Sequence, residues 1–163
     1  MKIRKATKED VFAGGEIYRE AKRYMKEVGN PTQWRDDGYP SERDIEKDIE
    51  NGSSYVCEDV GEVVGVFHFH IGTEPDYEKI YEGSWKSCAP YGVIHRIAVK
   101  YRGRGIADFC FSECIKIAGS IRIDTHRDNL PMQKSLVRAG FTQRGIIYIE
   151  NGEERLAFER IEK

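Results

Sequence analysis

The sequence predicts an α/β domain of the α+β kind, with a mixed, mostly antiparallel sheet flanked by helices. Two observations carry that expectation. Short β-branched runs bounded by turn formers recur along the chain, and stretches with apolar residues at helical spacing separate some of them. Their order is the second: strands alternate with helices in places and follow one another directly in others.

Taken in order, Ile3 to Ala6 reads as a short first strand. Thr7 with Asp10 three residues on matches a capping box, so a helix begins there. Val11, Ile17, Ala21 and Met25 supply its buried side, against the low helix propensity of Gly14 and Gly15. The segment Gly29-Asn30-Pro31-Thr32-Gln33-Trp34 breaks it. Ser41 then caps a short helix carrying Ile45 and Ile49. Tyr55 to Glu58 and Val63 to Ile71 form a hairpin around Asp59-Val60-Gly61-Glu62. Gly72 to Pro90 is a long polar stretch, either a surface loop or an excursion near a site. Val93 to Val99 is a β-branched run ending at a glycine-containing turn. A helix follows, with Ile106, Phe109, Cys110, Cys114 and Ile117 at helical spacing. Ile121 to Thr125 is a strand and Pro131 to Ala139 a helix. Phe141 to Ile149 and Leu156 to Ile161 close the chain as a hairpin.

With 163 residues the chain suits one domain, 1–163, with a core that needs no disulfide or metal staple. A net charge of −2 and a pI near 6.1 argue against a nucleic-acid binder. The four cysteines include no CxxC pair, and Cys110 and Cys114 share a helix face as core residues. The start, Met1-Lys2-Ile3-Arg4-Lys5, has no apolar segment behind it, and no run approaches a membrane span. A cytoplasmic protein with no membrane or nucleic-acid partner is the expectation.

The informative unit is the β-branched strand, then Arg102-Gly103-Arg104-Gly105-Ile106-Ala107, then the amphipathic helix. A helix start offers unpaired N–H groups and the positive end of the dipole, and it binds phosphate where nothing bulky blocks it. Gly103 and Gly105 remove the side chains that would hold an anion away; Arg102 and Arg104 add charge at the rim. A dinucleotide fingerprint fits poorly, because Asp108 stands where the third glycine belongs, and the Walker Gly-Lys-Ser/Thr is absent. The remaining readings are a phosphate or pyrophosphate cradle and a bare strand-to-helix turn.

The motif resembles the core signature of the GCN5-related N-acetyltransferase (GNAT) superfamily, Gln/Arg-x-x-Gly-x-Gly/Ala, matched by Arg102, Gly105 and Ala107. The strand His95-Arg96-Ile97-Ala98-Val99 is similar to that family's splayed strand. Asn129-Leu130-Pro131-Met132 followed by Arg138-Ala139-Gly140-Phe141 is similar to its second segment, and Ile3 to Asp10 to its opening. The resemblance implies central strands that splay where acetyl-CoA enters. It implies that Ile97, Ala98 and Val99 line the pantetheine arm, that Arg102, Gly103, Arg104, Gly105, Ile106 and Ala107 hold the pyrophosphate, and that Asn129, Met132 and Ser135 lie along the arm. It further implies an N-acetyltransferase acting by direct transfer to a small-molecule or peptide amine, and it admits a homodimer. The family's usual tyrosine acid is replaced by Leu136, which keeps open a non-catalytic acyl-CoA-binding module.

Transfer to an amine needs a base for the ammonium proton and tolerates an acid for the thiolate. Asp124 is the first candidate for the base, or else a strand-end cap. His95 is the second, sharing strand parity with Val93 and Ile97, or else a buried, hydrogen-bonded imidazole. Tyr148 and Tyr91 are candidates for the acid. His68 and His70 share one strand face but lack an evident third ligand, so no metal is expected. Trp34, Tyr39 and Trp85 either wall an acceptor pocket or anchor loops. Asp36, Asp37, Glu74 and Asp76 are acidic loop residues able to attract a cationic amine.

Overall fold

The computed structural model describes residues 1–30, 33–34 and 38–162. Pro31, Thr32, Asp36 and Asp37 lie outside the described residues. Seven strands, β1 (Lys2–Lys5), β2 (Ser54–Asp59), β3 (Glu62–Ile71), β4 (Gly92–Val99), β5 (Ser120–Thr125), β6 (Thr142–Tyr148) and β7 (Glu154–Ile161), form one sheet in the order β1-β2-β3-β4-β5-β7-β6. The helices are α1 (Val11–Glu27), α2 (Glu42–Glu50), α3 (Ile106–Ala118) and α4 (Leu130–Arg138). The sheet is mixed, as expected: only β4 and β5 run parallel, and every other neighbouring pair is antiparallel.

The parallel pair is also where the sheet opens. β4 and β5 pair only at Gly92–Ile121 and Val93–Arg122, so the rest of each strand diverges from the other. Everything that follows depends on that wedge.

Local rules account for the helix starts. Asp10 accepts from the Thr7 N–H at 2.7 Å and Asp44 from the Ser41 N–H at 2.8 Å, which completes a capping box ahead of α1 and at the start of α2. Gly14 and Gly15 sit inside α1 because α2 crosses there. A Cβ on Gly14 would lie 2.8 Å from Ile45 Cδ1, and one on Gly15 2.5 Å from Glu42 Cγ. Close helix approach outweighs the propensity cost of about 1 kcal/mol per glycine.

The sheet is covered on both faces. Phe67, Ile94, Ile97, Phe111, Leu136 and Phe158 belong to the cluster that includes α3 and α4, whereas Ile17, Tyr18, Ile45, Val66 and Ala98 pack with α1 and α2. A bulge in β4 decides which β4 side chain faces which cluster. His95, Ala98 and Val99 are paired with His68, Val66 and Gly65, but Arg96 adopts a left-handed φ of 54° and the register shifts there. The extra residue reverses the alternation. Ile97 therefore joins Ile94 against α3, while His95 stays on the Val93 face. The shared parity of His95 and Ile97 expected from the sequence is corrected by this bulge.

Residues 72–90 are a packed excursion toward the site. Tyr77 and Trp85 join a third cluster with Val93 and Ile147, and Tyr81 bridges to Ile146. The carboxylate of Glu159, fully buried, accepts from the Lys86 N–H at 2.9 Å, the Ser87 N–H at 3.4 Å and Arg144 Nε at 2.9 Å. Arg122 donates to the Ser87 carbonyl at 2.7 Å and is stacked against both Trp85 and Tyr91. Among the described residues no helix is long and apolar enough to cross a membrane.

Candidate active site

Two cavities open at the β4–β5 wedge. The larger, about 960 Å3, runs along β4 from Ile97 to the start of α3 and is walled by α1 and α4. Its mouth is the glycine turn. Gly103 and Gly105 have φ of 77° and 71°, values that side-chain-bearing residues adopt at a cost, and a Cβ on either would meet nothing within 4 Å. The space before both is open. Gly105 is the N-cap of α3, so the first N–H groups of a 13-residue helix face it. The Arg102 guanidinium lies 3.8 Å from the centre of the Tyr24 ring and that of Arg104 4.4 Å from Tyr101, both on the rim. Asp108, the acidic residue in this first turn, accepts from Arg138 Nε at 3.1 Å, which offsets its charge.

All twelve residues expected to hold a coenzyme line this cavity: Ile97, Ala98, Val99, Arg102, Gly103, Arg104, Gly105, Ile106, Ala107, Asn129, Met132 and Ser135. Asn129 caps α4, its Oδ1 accepting from the Met132 N–H at 3.2 Å, and its Nδ2 donates to Gln33 Oε1 at 3.1 Å. Ser135 donates to Asp108 Oδ1 at 3.4 Å. Tyr24 and Arg138 were not legible as site residues, since each is one polar side chain on a helix.

The second cavity, about 690 Å3, lies on the other side of the wedge. Met25, Ile97, Asn129 and Met132 line both. Asp124 and His95 line the second, with Glu74 and Asp76 from the 72–90 excursion, Asp48 and His68. Asp124 accepts from the Tyr77 hydroxyl at 2.7 Å and lies 3.9 Å from Arg155 Nε. Burial, then the Asp124 charge, drives the Tyr77 hydroxyl well above the ordinary tyrosine range. His95 Nε2 stands 3.6 Å from Glu74 Oε2 and holds that carboxyl below the usual range despite burial. Burial pushes Asp76 up, and Glu74 and Asp124 push it further.

A row of imidazoles runs outward from this cavity. His68 Nδ1 is 3.4 Å from Asp48 Oδ2, His68 Nε2 is 2.6 Å from His70 Nδ1, and His70 Nε2 is 3.3 Å from the Thr73 carbonyl. Burial lowers the His68 pKa, with Asp48 opposing. Burial works against ionised Asp48, but His68 and Arg96 prevail and its pKa falls. Arg96, carried by the bulge, pairs with Asp48 and donates to the Tyr39 hydroxyl at 3.3 Å. Among the described residues no group of three or more His, Cys, Asp or Glu is arranged to hold a metal ion.

Some expectations are not met. Tyr148 lines neither cavity: the β6 alternation buries Ile147 and turns Tyr148 outward, 45% exposed, against Tyr81. Tyr91 lines neither and lies over Arg122. Trp34 and Tyr39 do line the second cavity, whereas Trp85 is an anchor, donating from Nε1 to the Tyr77 carbonyl at 2.9 Å. Leu136 is sealed in the core.

An open glycine turn at a helix start and an acidic cavity meet where the sheet parts, an arrangement with room for two substrates side by side. The family model for the acetyltransferase (GNAT) family matches residues 15–141, and the chain belongs to that family. It is similar to a GNAT-family acetyltransferase from Streptococcus agalactiae, at 31% identity over 99% of this chain and 95% of that one, with a TM-score of 0.91. A GNAT-family acetyltransferase from Listeria monocytogenes shares the fold at 22% identity, covering 98% and 94%, with a TM-score of 0.69. So does a ribosomal-protein-alanine N-acetyltransferase from Brucella melitensis, at 20% identity, covering 99% of each chain, with a TM-score of 0.65. No curated protein sequence matches the chain significantly. The family uses acetyl-CoA as cosubstrate, and the open glycine cradle at a helix start fits its pyrophosphate.

Proposed function

We propose that the protein transfers an acetyl group from acetyl-CoA to an amine in one direct step within a ternary complex. The observation that carries this reading is the meeting of the two cavities at Met25, Ile97, Asn129 and Met132. A donor in one and an acceptor in the other have their reacting ends together there.

On this reading the β4 segment from Ile97 to Val99, with Asn129, Met132 and Ser135, lines the coenzyme arm, and Arg102 to Ala107 hold its pyrophosphate. The bound thioester supplies an electrophilic carbonyl carbon. The amine nitrogen forms the new C–N bond as the C–S bond breaks, and sulfur leaves with the bonding electrons. The amine enters protonated and has no lone pair until it gives up a proton, so the chain must take one.

His95 is the proposed acceptor of that proton, with Glu74 orienting the ring and compensating its charge. The imidazole row gives the proton an exit. Two neutral imidazoles bring two protons to three contacts, those with Asp48, between His68 and His70, and with the Thr73 carbonyl, and a third proton completes the row. The His68 and His95 ring centres are 5.3 Å apart. Asp124, already accepting from Tyr77, supplies charge and orientation. The leaving thiol, with an ordinary pKa of about 8.5, departs without a side-chain acid.

The test is calorimetric titration with acetyl-CoA of the wild type and of Gly105→Glu, followed by an acetylation screen over amines. Glutamate puts bulk and negative charge where the pyrophosphate is assigned. Binding by the wild type alone, with an acetylated amine in the screen, supports the reading. Equal binding by a folded variant, or binding without any product, overturns it.

A further inference from the structure

Resting on that reading, we infer that Arg138 is a positioning residue for the coenzyme: it draws the Asp108 carboxylate toward α4 and so keeps its charge off the pyrophosphate cradle. Three helical starts in this chain carry an aspartate three residues after the N-cap. At two of them the carboxylate folds back on its own end. Asp10 accepts from the Thr7 N–H at 2.7 Å and Asp44 from the Ser41 N–H at 2.8 Å. Asp108 holds the same position after Gly105, the N-cap of α3, but its carboxylate goes elsewhere. Oδ2 accepts from Arg138 Nε at 3.1 Å and Oδ1 from the Ser135 hydroxyl at 3.4 Å, both on α4. Arg138 Nη2 also donates to Ser135 Oγ at 3.4 Å, so the three side chains close a triangle between the two helices.

The difference matters because of what the end of α3 has to do. A carboxylate in the first turn is an ordinary partner for the free N–H groups and the dipole there. The pyrophosphate needs those same groups. Gly105 is left-handed where Thr7 and Ser41 are extended, but the first turn of α3 has free N–H groups like any other. An Asp108 turned back over them occupies the cradle from within the chain and sets a negative charge against the phosphates.

Asp108, Ser135 and Arg138 all line the larger cavity, so the triangle stands beside the cradle. The Arg138 side chain is 65% exposed and that of Asp108 34%, and an ion pair so near water adds little to the stability of the fold. Its effect lies in where it leaves the carboxylate.

The probes are coenzyme A and pantetheine, which has the same thiol arm and no phosphate. Each is titrated calorimetrically into the wild type, Arg138→Ala, Asp108→Asn and the double variant, with denaturant unfolding to show that every variant is folded. Arg138→Ala should weaken coenzyme A binding by about tenfold and leave pantetheine binding unchanged. Asp108→Asn alone should bind coenzyme A at least as tightly as the wild type, and in the double variant it should restore what Arg138→Ala lost. Coenzyme A binding that Arg138→Ala leaves unchanged overturns the inference. A double variant as weak as Arg138→Ala overturns it too, because Arg138 then acts on the phosphates itself. An equal loss for pantetheine makes the triangle a strut between helices and also overturns it. A wild type that binds no coenzyme A removes the cradle reading on its own, before any variant is compared.

Discussion

The Tyr77 hydroxyl donates to Asp124 Oδ2 across 2.7 Å, tying the 72–90 excursion to the diverging end of β5. With that hydroxyl donating to it and Arg155 Nε 3.9 Å away, Asp124 is held in place at the edge of the second cavity, which suits a positioning role. Asp124→Asn is expected to raise KM for the amine more than it lowers kcat. His95→Ala is expected to lower kcat by about 10²–10⁴, as for loss of a general base. Steady-state kinetics of the two variants separate the roles; the reverse pattern would return the base to Asp124.

Stability should fall as His68 is asked to take a proton. Its folded pKa lies below its unfolded value because it is buried. Between the two values the unfolded chain binds more protons, so stability is full above the ordinary histidine pKa of about 6.5 and is lost as pH falls from there. The midpoint of denaturant unfolding should decrease from about pH 7.5 to about pH 5.5, and His68→Gln should flatten that slope.

A second acid window belongs to Asp10. Arg4, paired at 2.8 Å and 2.9 Å, holds its carboxyl below the usual range. The stabilisation is present above the unfolded carboxylate pKa, about 3.9, and disappears as pH drops through the folded one. Asp10→Asn should cost about 1–3 kcal/mol at neutral pH, with much less difference from the wild type in acid.

Glu159 locks the excursion that carries Glu74 and Asp76. Glu159→Gln leaves Arg144 and Arg122 buried with weakened compensation and should cost about 3–5 kcal/mol by urea unfolding. Gly83→Ala should act on the same loop by sterics, because a Cβ there overlaps the Arg144 carbonyl. Either variant should weaken amine use before acetyl-CoA binding, since the coenzyme cavity shares no wall with that loop.

Much was legible from local rules. The capping box at Thr7, the N-cap at Ser41, the hairpin turns, and glycines ahead of an amphipathic helix all depend on residues a few positions apart, and every sheet element lies close to where the pattern puts it. The wall of the larger cavity followed for the same reason: strand, turn and helix start are contiguous in the chain. Tyr148 shows the opposite case, where one residue of alternation decides between cavity and solvent.

By itself the sequence determined the elements and the glycine turn at Gly103 and Gly105 ahead of a helix, and the family resemblance set Asn129 and Met132 beside that turn. Only the tertiary structure decided the second cavity. Asp48 on α2, His68 on β3, Glu74 and Asp76 in a long excursion, His95 beside a bulge, Asp124 on β5 and Arg155 on β7 are far apart in the chain. Their meeting depends on where β4 and β5 part and on one inserted residue, Arg96, whose left-handed backbone no local pattern announced. Periodicity describes neighbours along a strand, whereas a cavity is made by strands that stop being neighbours.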